Sequence, residues 1–574
     1  MKLRSNEWFD GSFDNTFQHR SSMRAMGHQP NAFVGKPMIG IANSWSDYNN
    51  CNITHKYLVE HVKRGVLMAG GYPMEFHTIT TPADLMKPSD LIYRNLMAMD
   101  VEESIRSLPM DGVVLLCECD KTCPAQLMAA ASCDIPAIQF AAGHRKSGVF
   151  KGSKVTYATD FWKFVDDYKT GAMTSGEWDQ LEQCMSCSPG GCAVMGTAST
   201  MKILSEVCGM MLPGTSQIPA MDARRFAAAE ETGRRIVEMV KEELRPSRML
   251  TESTFHNAIK VMAAIGGSTN AVIHLNAIAG RLGIHLDLDL FQRLSSQVPL
   301  LVNLQPSGKY NMDDFDEAGG VPALMCELMP ILDKDCISAT GETIEKSFGS
   351  NATVVNRDVI GSLQNPIRDD SAIVVLKGNL APDGAIIKRS ACSAHLLNHT
   401  GRAVVFEDYN DMLARIDSED LDVDESSVLV MRNCGPVGAG MPEWGSIPIP
   451  KKLLKAGVRD MVRISDARMS GTSFGAIVLH AAPESAIGGP LSLVRDGDLI
   501  ALDVSRGTLE LLVEDTVLQG RRQNLAPARP QHKRGYPRLF ADHVLQAPEG
   551  CDLDFLRPQS RADAVFVPPV IGRG

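Results

Sequence analysis

Three cysteines lie in loop-like sequence beside residues that could act with them. Cys51 sits in the turn-like Asn49-Asn50-Cys51-Asn52, and Cys119 opens Cys119-Asp120-Lys121-Thr122 just past the apolar run Val113–Leu116. Cys192 ends the glycine-rich stretch Ser188-Pro-Gly-Gly-Cys192, which runs on to Thr200. Three thiolates from separate loops could hold an iron–sulfur cluster; such a cluster usually takes four cysteines, so with three one iron keeps an open position and can act as a Lewis acid. Spacing alone leaves other readings open. Cys184-x-x-Cys187 followed by Cys192 suits zinc or a redox pair equally well. Of the 14 cysteines, Cys133, Cys208, Cys326 and Cys336 read as small buried hydrophobes.

Acids form a second set. Asp120 adjoins Cys119, Glu443 lies in Gly438-Ala-Gly-Met-Pro-Glu443-Trp-Gly445, and Asp84 lies in Thr81-Pro-Ala-Asp84-Leu-Met-Lys-Pro88. Magnesium takes a few carboxylates plus water and substrate oxygens, so loop acids are suitable donors, although a lone loop acid is more often a turn residue or a cap. Lys121 reads equally as a surface charge. A third set is Arg463-Ile-Ser-Asp-Ala-Arg-Met-Ser470-Gly-Thr472, where a tight turn could present the hydroxyls of Ser470 and Thr472; an ordinary turn or N-cap is the plain alternative. The same alternative holds for Gly266-Gly-Ser-Thr-Asn270, and His274 in the apolar stretch that follows reads as core.

These loops need a frame. At 574 residues the chain is too long for one hydrophobic core, since cores stop growing at roughly 250–300 residues. Pro37–Ala42, Val113–Leu116 and Pro136–Phe140 are continuous apolar runs alternating with helical patterns, such as Leu58, Val62 and Val66 before Gly70-Gly71. Strands covered on both faces read this way and imply a mostly parallel sheet, with ligands outside the carboxyl ends of its strands. Past Asn365–Ser371 the style changes to strand-like runs and a hairpin, with Ile500, Leu502 and Val504 turning at Ser505–Gly507 into Leu509, Leu511 and Val513. The expected fold class is α/β: an N-terminal α/β/α domain over 1–368 carrying the iron–sulfur and magnesium residues, and a β-barrel-like domain with flanking helices over 369–574 carrying Ser470. The basic, proline-containing stretch Arg521–Pro537 reads as an irregular surface segment.

Net charge is −11 with both signs mixed along the chain, which offers no track for a phosphate backbone and argues against nucleic acid. No apolar run approaches the ~20 residues of a membrane span, and the start lacks a signal-peptide pattern, so the cytoplasm is the expected location.

Taken together, Cys119–Thr122, the loop through Cys192 with its Met-Gly-Thr-Ala sequence, Gly266–Asn270, Pro306-Ser-Gly-Lys309, Gly378-Asn-Leu-Ala-Pro382 and Arg463–Thr472 resemble, in order, the family of dihydroxy-acid and sugar-acid (aldonate) dehydratases. The resemblance covers nearly the whole chain. It implies that Cys51, Cys119 and Cys192 are cluster ligands, with [2Fe–2S] usual in the sugar-acid branch and [4Fe–4S] the second choice. It implies that Asp120 and Glu443 hold magnesium, and that Lys121 is carbamylated and becomes an oxygen ligand. Ser470 matches the alkoxide base, with Lys121 and Thr472 beside it in the catalytic set. The opening Leu3–Trp8 and the late Ala541–Val544 and Asp552–Leu556 are closer to the arabinonate and xylonate branch. A homodimer or homotetramer is the family expectation. Two departures stand out. The family's first magnesium acid falls on Ala83, with Asp84 next door as the stand-in if the loop shifts by one residue and a water or one ligand fewer if it does not, and the chain ends Pro568–Gly574 without the closing His of many sugar-acid members.

The implied reaction takes a proton from C2 and hydroxide from C3 of a small dihydroxy acid. An unassisted hydroxyl ionises near 15.7, so using serine as base at pH ~8 costs about 10 kcal/mol; one hydrogen bond returns ~1–3 kcal/mol, and a nearby dication is needed for the rest. Three alternatives remain: the same chemistry on 2,3-dihydroxy-isovalerate, a non-catalytic iron–sulfur sensor, and a zinc-stabilised binding protein.

Overall fold

In the computed structural model, residues 3–10, 14–87, 89–349, 352–444, 447–525 and 532–558 are described. Strands β1 (Met38–Asn43), β2 (Tyr72–His77), β3 (Gly112–Cys117) and β4 (Ala137–Ala141) form a parallel sheet in the order β2-β1-β3-β4. Every residue of β1, β3 and β4 is buried, which explains their unbroken apolar sequence. Helix His55–Met68 turns Leu58, Val62 and Val66 inward and packs on helix Ala223–Glu242. Two glycines set that approach: a Cβ on Gly65 would stand 1.9 Å from the Glu230 carbonyl oxygen, and one on Gly233 2.1 Å from that of Val62.

The second unit is a closed barrel. Its strands are β5 (Val374–Gly378), β6 (Ala381–Ile387), β7 (Asn398–Phe406), β8 (Val428–Met431), β10 (Arg463–Ser465), β12 (Ile477–Ala482), β13 (Leu499–Asp503) and β14 (Thr508–Leu511), in the order β8-β10-β12-β6-β5-β14-β13-β7. A short ladder of β9 (Glu443–Trp444) and β11 (Arg468–Met469) lies outside the ring. Period-two alternation sorts β8: Val428 and Val430 face the barrel core, while Leu429 and Met431 pack with Phe406 and Ile477 in a separate cluster. The hairpin expected at 500–513 forms, with Ile500 opposite Leu511 and Leu502 opposite Leu509.

The expected α/β class with a parallel sheet and a barrel therefore holds, with a core in each unit. The stretch Arg521–Pro537 departs from its irregular reading at both ends, where helix Asp515–Gln523 stops and helix Gly535–His543 starts. The closing Pro568–Gly574 lies outside the described residues. Among the described residues no helix is long and apolar enough to cross a membrane.

Candidate active site

The sheet delivers the cysteines. Cys51 follows β1, and Asn49 fixes its turn by accepting from the backbone N–H groups of Cys51 and Asn52 at 3.1 and 3.3 Å. Cys119 follows β3 and holds a left-handed backbone, φ 71°. A non-glycine residue there costs on the order of 1–3 kcal/mol, a strain that collects at functional sites. Its sulfur lies 3.4 Å from Asp120 Oδ1, and the neighbouring Cys51 thiol, more than burial, pushes the Cys119 thiol well up. Cys192 arrives on the loop before helix Thr197–Val207. Burial pushes its thiol up to about 12, with Arg145 opposing and Asp84 and Cys51 adding to the rise. Among the described residues the three sulfurs do not form a group with every pair inside 4.8 Å.

Three carboxylates do close to that spacing: Asp90, Asp120 and Glu443 form the group of three among the described residues. Asp120 follows Cys119, Asp90 opens helix Asp90–Ser107, and Glu443 comes from β9 of the second unit. Lys121, fully buried, reaches all three: Asp90 Oδ2 at 2.7 Å, and Asp120 and Glu443 more closely. Desolvation opposes its charge, but the three acids outweigh that and hold its pKa above the usual lysine range. Arg468 donates to Glu443 Oε2 at 2.8 Å and to Asp90 Oδ1 at 3.0 Å. Burial pushes the Glu443 carboxyl up to about 7 against the pull of Lys121 and Arg468.

One bond between the units and two contacts within the second bring Glu443 to the others. Ser89 Oγ donates to the Gly440 carbonyl at 2.8 Å, Arg468 Nε to that of Met441 at 2.9 Å, and β9 pairs in parallel with β11, Glu443 opposite Arg468. Asp84 is placed elsewhere. It lines the same pocket, but its Oδ2 lies 4.0 Å from Arg145 and it is outside the group of three. Asp90, which sequence reasoning did not assign, is the third member of the group beside Asp120 and Glu443.

Ser470 follows β11 directly, half-buried, with its hydroxyl 2.7 Å from that of Thr472. Three side chains from three other segments grip the backbone of this turn: Asn270 Nδ2 donates to the Met469 carbonyl at 3.3 Å, Lys388 Nζ to that of Gly471 at 3.3 Å, and Thr159 Oγ1 to that of Thr472 at 3.0 Å. The Gly266–Asn270 motif thus acts on the serine turn. Contact is close enough that a Cβ on Gly471 would meet Ser268 Oγ at 2.4 Å, and one on Gly196 would meet the Thr472 methyl at 2.7 Å. His274 is fully buried, as expected.

Cys192, Asp84, Asp90, Glu443, Ser470 and Thr472 line one cavity of about 280 Å³, walled on another side by Tyr157, Phe161 and Trp162. Asp90, Arg468 and the three turn-gripping side chains carry the site beyond the residues that sequence reasoning assigned.

Two stretches match known protein families: residues 36–347 match the dihydroxy-acid/6-phosphogluconate dehydratase N-terminal domain, and 358–551 its C-terminal domain. The L-arabinonate dehydratase of Rhizobium leguminosarum bv. trifolii is 48% identical over 559 residues, covering 97% of this chain and 96% of that one. The 6-deoxy-6-sulfo-D-gluconate dehydratase of Pseudomonas putida is 44% identical, covering 99% and 98%. The dihydroxy-acid dehydratase of Ignicoccus hospitalis is 37% identical, covering 94% and 98%.

Proposed function

The chain belongs to the dihydroxy-acid/6-phosphogluconate dehydratase family and is a hydro-lyase, and from that premise we propose that it dehydrates a 2,3-dihydroxy sugar acid to the 2-keto-3-deoxy acid. One observation carries the reading: a thiol ligand (Cys192), acids of the carboxylate group (Asp90, Glu443) and a hydroxyl base (Ser470) all open on one cavity.

Donor chemistry fits two inorganic groups. Three buried or half-buried thiols from separate loops suit an iron–sulfur cluster, [2Fe–2S] being the form the resemblance implies. Asp90, Asp120 and Glu443 suit magnesium. When bound, the two groups supply Lewis acidity at the substrate's carboxylate and hydroxyl oxygens. Lys121 as an ammonium neutralises the three acids; a carbamate on its Nζ turns it into an oxygen donor and leaves Arg468 as their cation. Ser470 takes the C2 proton, with Thr472 accepting or donating beside it and the gripped turn holding the oxygen in place. Asp90 supplies the carboxylate that Ala83 does not.

Identities of 48% and 44% to relatives named for sugar acids, against 37% to one named for dihydroxy acids, favour the sugar-acid branch. The aromatic wall agrees, since rings pack well on the C–H faces of a polyol. We place the protein in the cytoplasm as a homodimer or homotetramer. Keto-acid formation by anaerobically purified enzyme, across arabinonate, xylonate, gluconate, threonate and glycerate, tests the proposal. Turnover of an aldonate well above that of 2,3-dihydroxy-isovalerate supports it; preference for the branched acid moves the protein to the other branch, and colour without any turnover indicates a sensor.

A further inference from the structure

Arg145 is buried to 3% exposure among the loops that carry the cysteines, and neither the carboxylate group nor the serine turn uses it. Its backbone N–H donates to the Gly191 carbonyl at 2.8 Å and its Nε to the Gly190 carbonyl at 3.2 Å, so it is bonded to the two residues before Cys192. Gly190 N–H in turn donates to the Asn50 carbonyl at 3.1 Å, one residue before Cys51. Nη1 donates to Ser186 Oγ at 3.2 Å, and the guanidinium carbon lies 5.1 Å from the centre of the Tyr157 ring. Among the described residues Nη2 has no hydrogen-bond partner, and Asp84 Oδ2 stands off at 4.0 Å.

A buried donor left unmade costs roughly 1–3 kcal/mol, more for a charged group, and buried charges are ordinarily paired. Asp84 pairs with it only at 4.0 Å, and the other acidic groups near it include the sulfurs of Cys192 and Cys51. Space between Gly190 and its neighbours agrees with a built clamp, because a Cβ there would stand 2.7 Å from Arg145 N.

We propose that Arg145 is the positioning residue and counter-charge of the three-sulfur site, bracing the Cys192 loop and giving its free Nη2 donor to a sulfur of the bound cluster. The inference rests on the iron–sulfur reading above and goes beyond it. An iron–sulfur core on three thiolates is anionic and becomes more so on reduction, so a fixed cation beside it stabilises the reduced form and offsets the charge that an anionic sugar acid must approach. Cluster potentials respond to net charge and to hydrogen bonds on sulfur, and outer partners of ligands are typically worth about 10–100-fold in metal affinity.

The test compares wild type, Arg145→Gln and Arg145→Lys, all purified anaerobically, by iron content, cluster reduction potential and the rate of iron loss to a chelator. Arg145→Gln is expected to shift the potential negative and to lose iron about 10-fold faster. Arg145→Lys, which keeps the charge but not the planar fork, is expected near the wild-type potential with faster iron loss. A purely structural arginine would change the loss rate and leave the potential alone, so a Gln variant at the wild-type potential overturns the inference while iron-replete wild type keeps the parent reading. Iron-free, active wild type overturns both. If Arg145→Gln does not fold, resonance Raman of the cluster in wild type and Arg145→Lys decides: a deuterium-sensitive Fe–S stretch whose shift in D2O is smaller in the Lys variant supports a donor on sulfur, and an equal shift in both overturns it.

Discussion

The two sides of the pocket are assembled differently. The sulfur side is built within the N-terminal unit: Cys51 and Cys119 follow neighbouring strands of one sheet, and Cys192 and Arg145 are tied to them by loop hydrogen bonds. The acid and serine side spans the two units. Asp90, Asp120 and Lys121 come from the first, Glu443, Arg468 and Ser470 from the second, and donors at Asn270 and Thr159 reach across to the serine turn. One half is held by local loop geometry, while the other also needs the docking of sheet unit on barrel unit. The two halves should therefore fail independently.

The sharpest break is at the serine. Ser470→Ala should lower turnover by roughly 10²–10⁴-fold, the range for a general base, with visible cluster absorbance unchanged; a near-normal rate would remove Ser470 from the base role. Next is Asp90→Asn. It should weaken divalent-metal binding, read by titration calorimetry, by about 10–100-fold while iron content stays at the wild-type level. Loss of iron together with the dication would show that the halves are not separable.

Legibility followed the same division. Cys51, Cys119 and Cys192 could be picked out because each ends a loop next to a recognisable strand or helix start, and Asp120–Lys121 came with Cys119. Asp90 could not: an acid in the first turn of a helix is what the helix dipole favours anyway, so its residue type carried no signal. Arg468 stood inside a quoted motif, but its reach to both Asp90 and Glu443 depends on where the barrel docks. Gly266–Asn270 read as a helix start, which it is, and its second task on the Met469 carbonyl exists only in three dimensions. The parallel sheet and the 500–513 hairpin were legible because periodicity encodes them; closure of the barrel was less so, since β8, β10 and β12 pair in parallel across long connections.

A smaller effect separates grip from charge on the serine turn. Burial lowers Lys388 to about 7, with Cys392 opposing, and among the described residues no carboxylate bonds it. A lysine whose folded pKa lies below its unfolded value of ~10.4 binds its proton more weakly when folded. Its contribution to stability therefore falls as pH drops from about 10 to about 7 and is level below that. Lys388→Met should remove this slope, stabilise the protein at pH 7 by on the order of a few kcal/mol in denaturant titrations, and cost only about 5-fold in turnover through the freed Gly471 carbonyl. A slope that persists in the variant would place the titration elsewhere.

The most direct measurement is an anomalous-difference map at the iron edge from crystals grown without oxygen. The account predicts a compact iron peak bounded by Cys51, Cys119 and Cys192, next to an iron-free cation site at Asp90, Asp120 and Glu443. Iron seated on Cys184 and Cys187, or no iron in crystals of fully active protein, would contradict it.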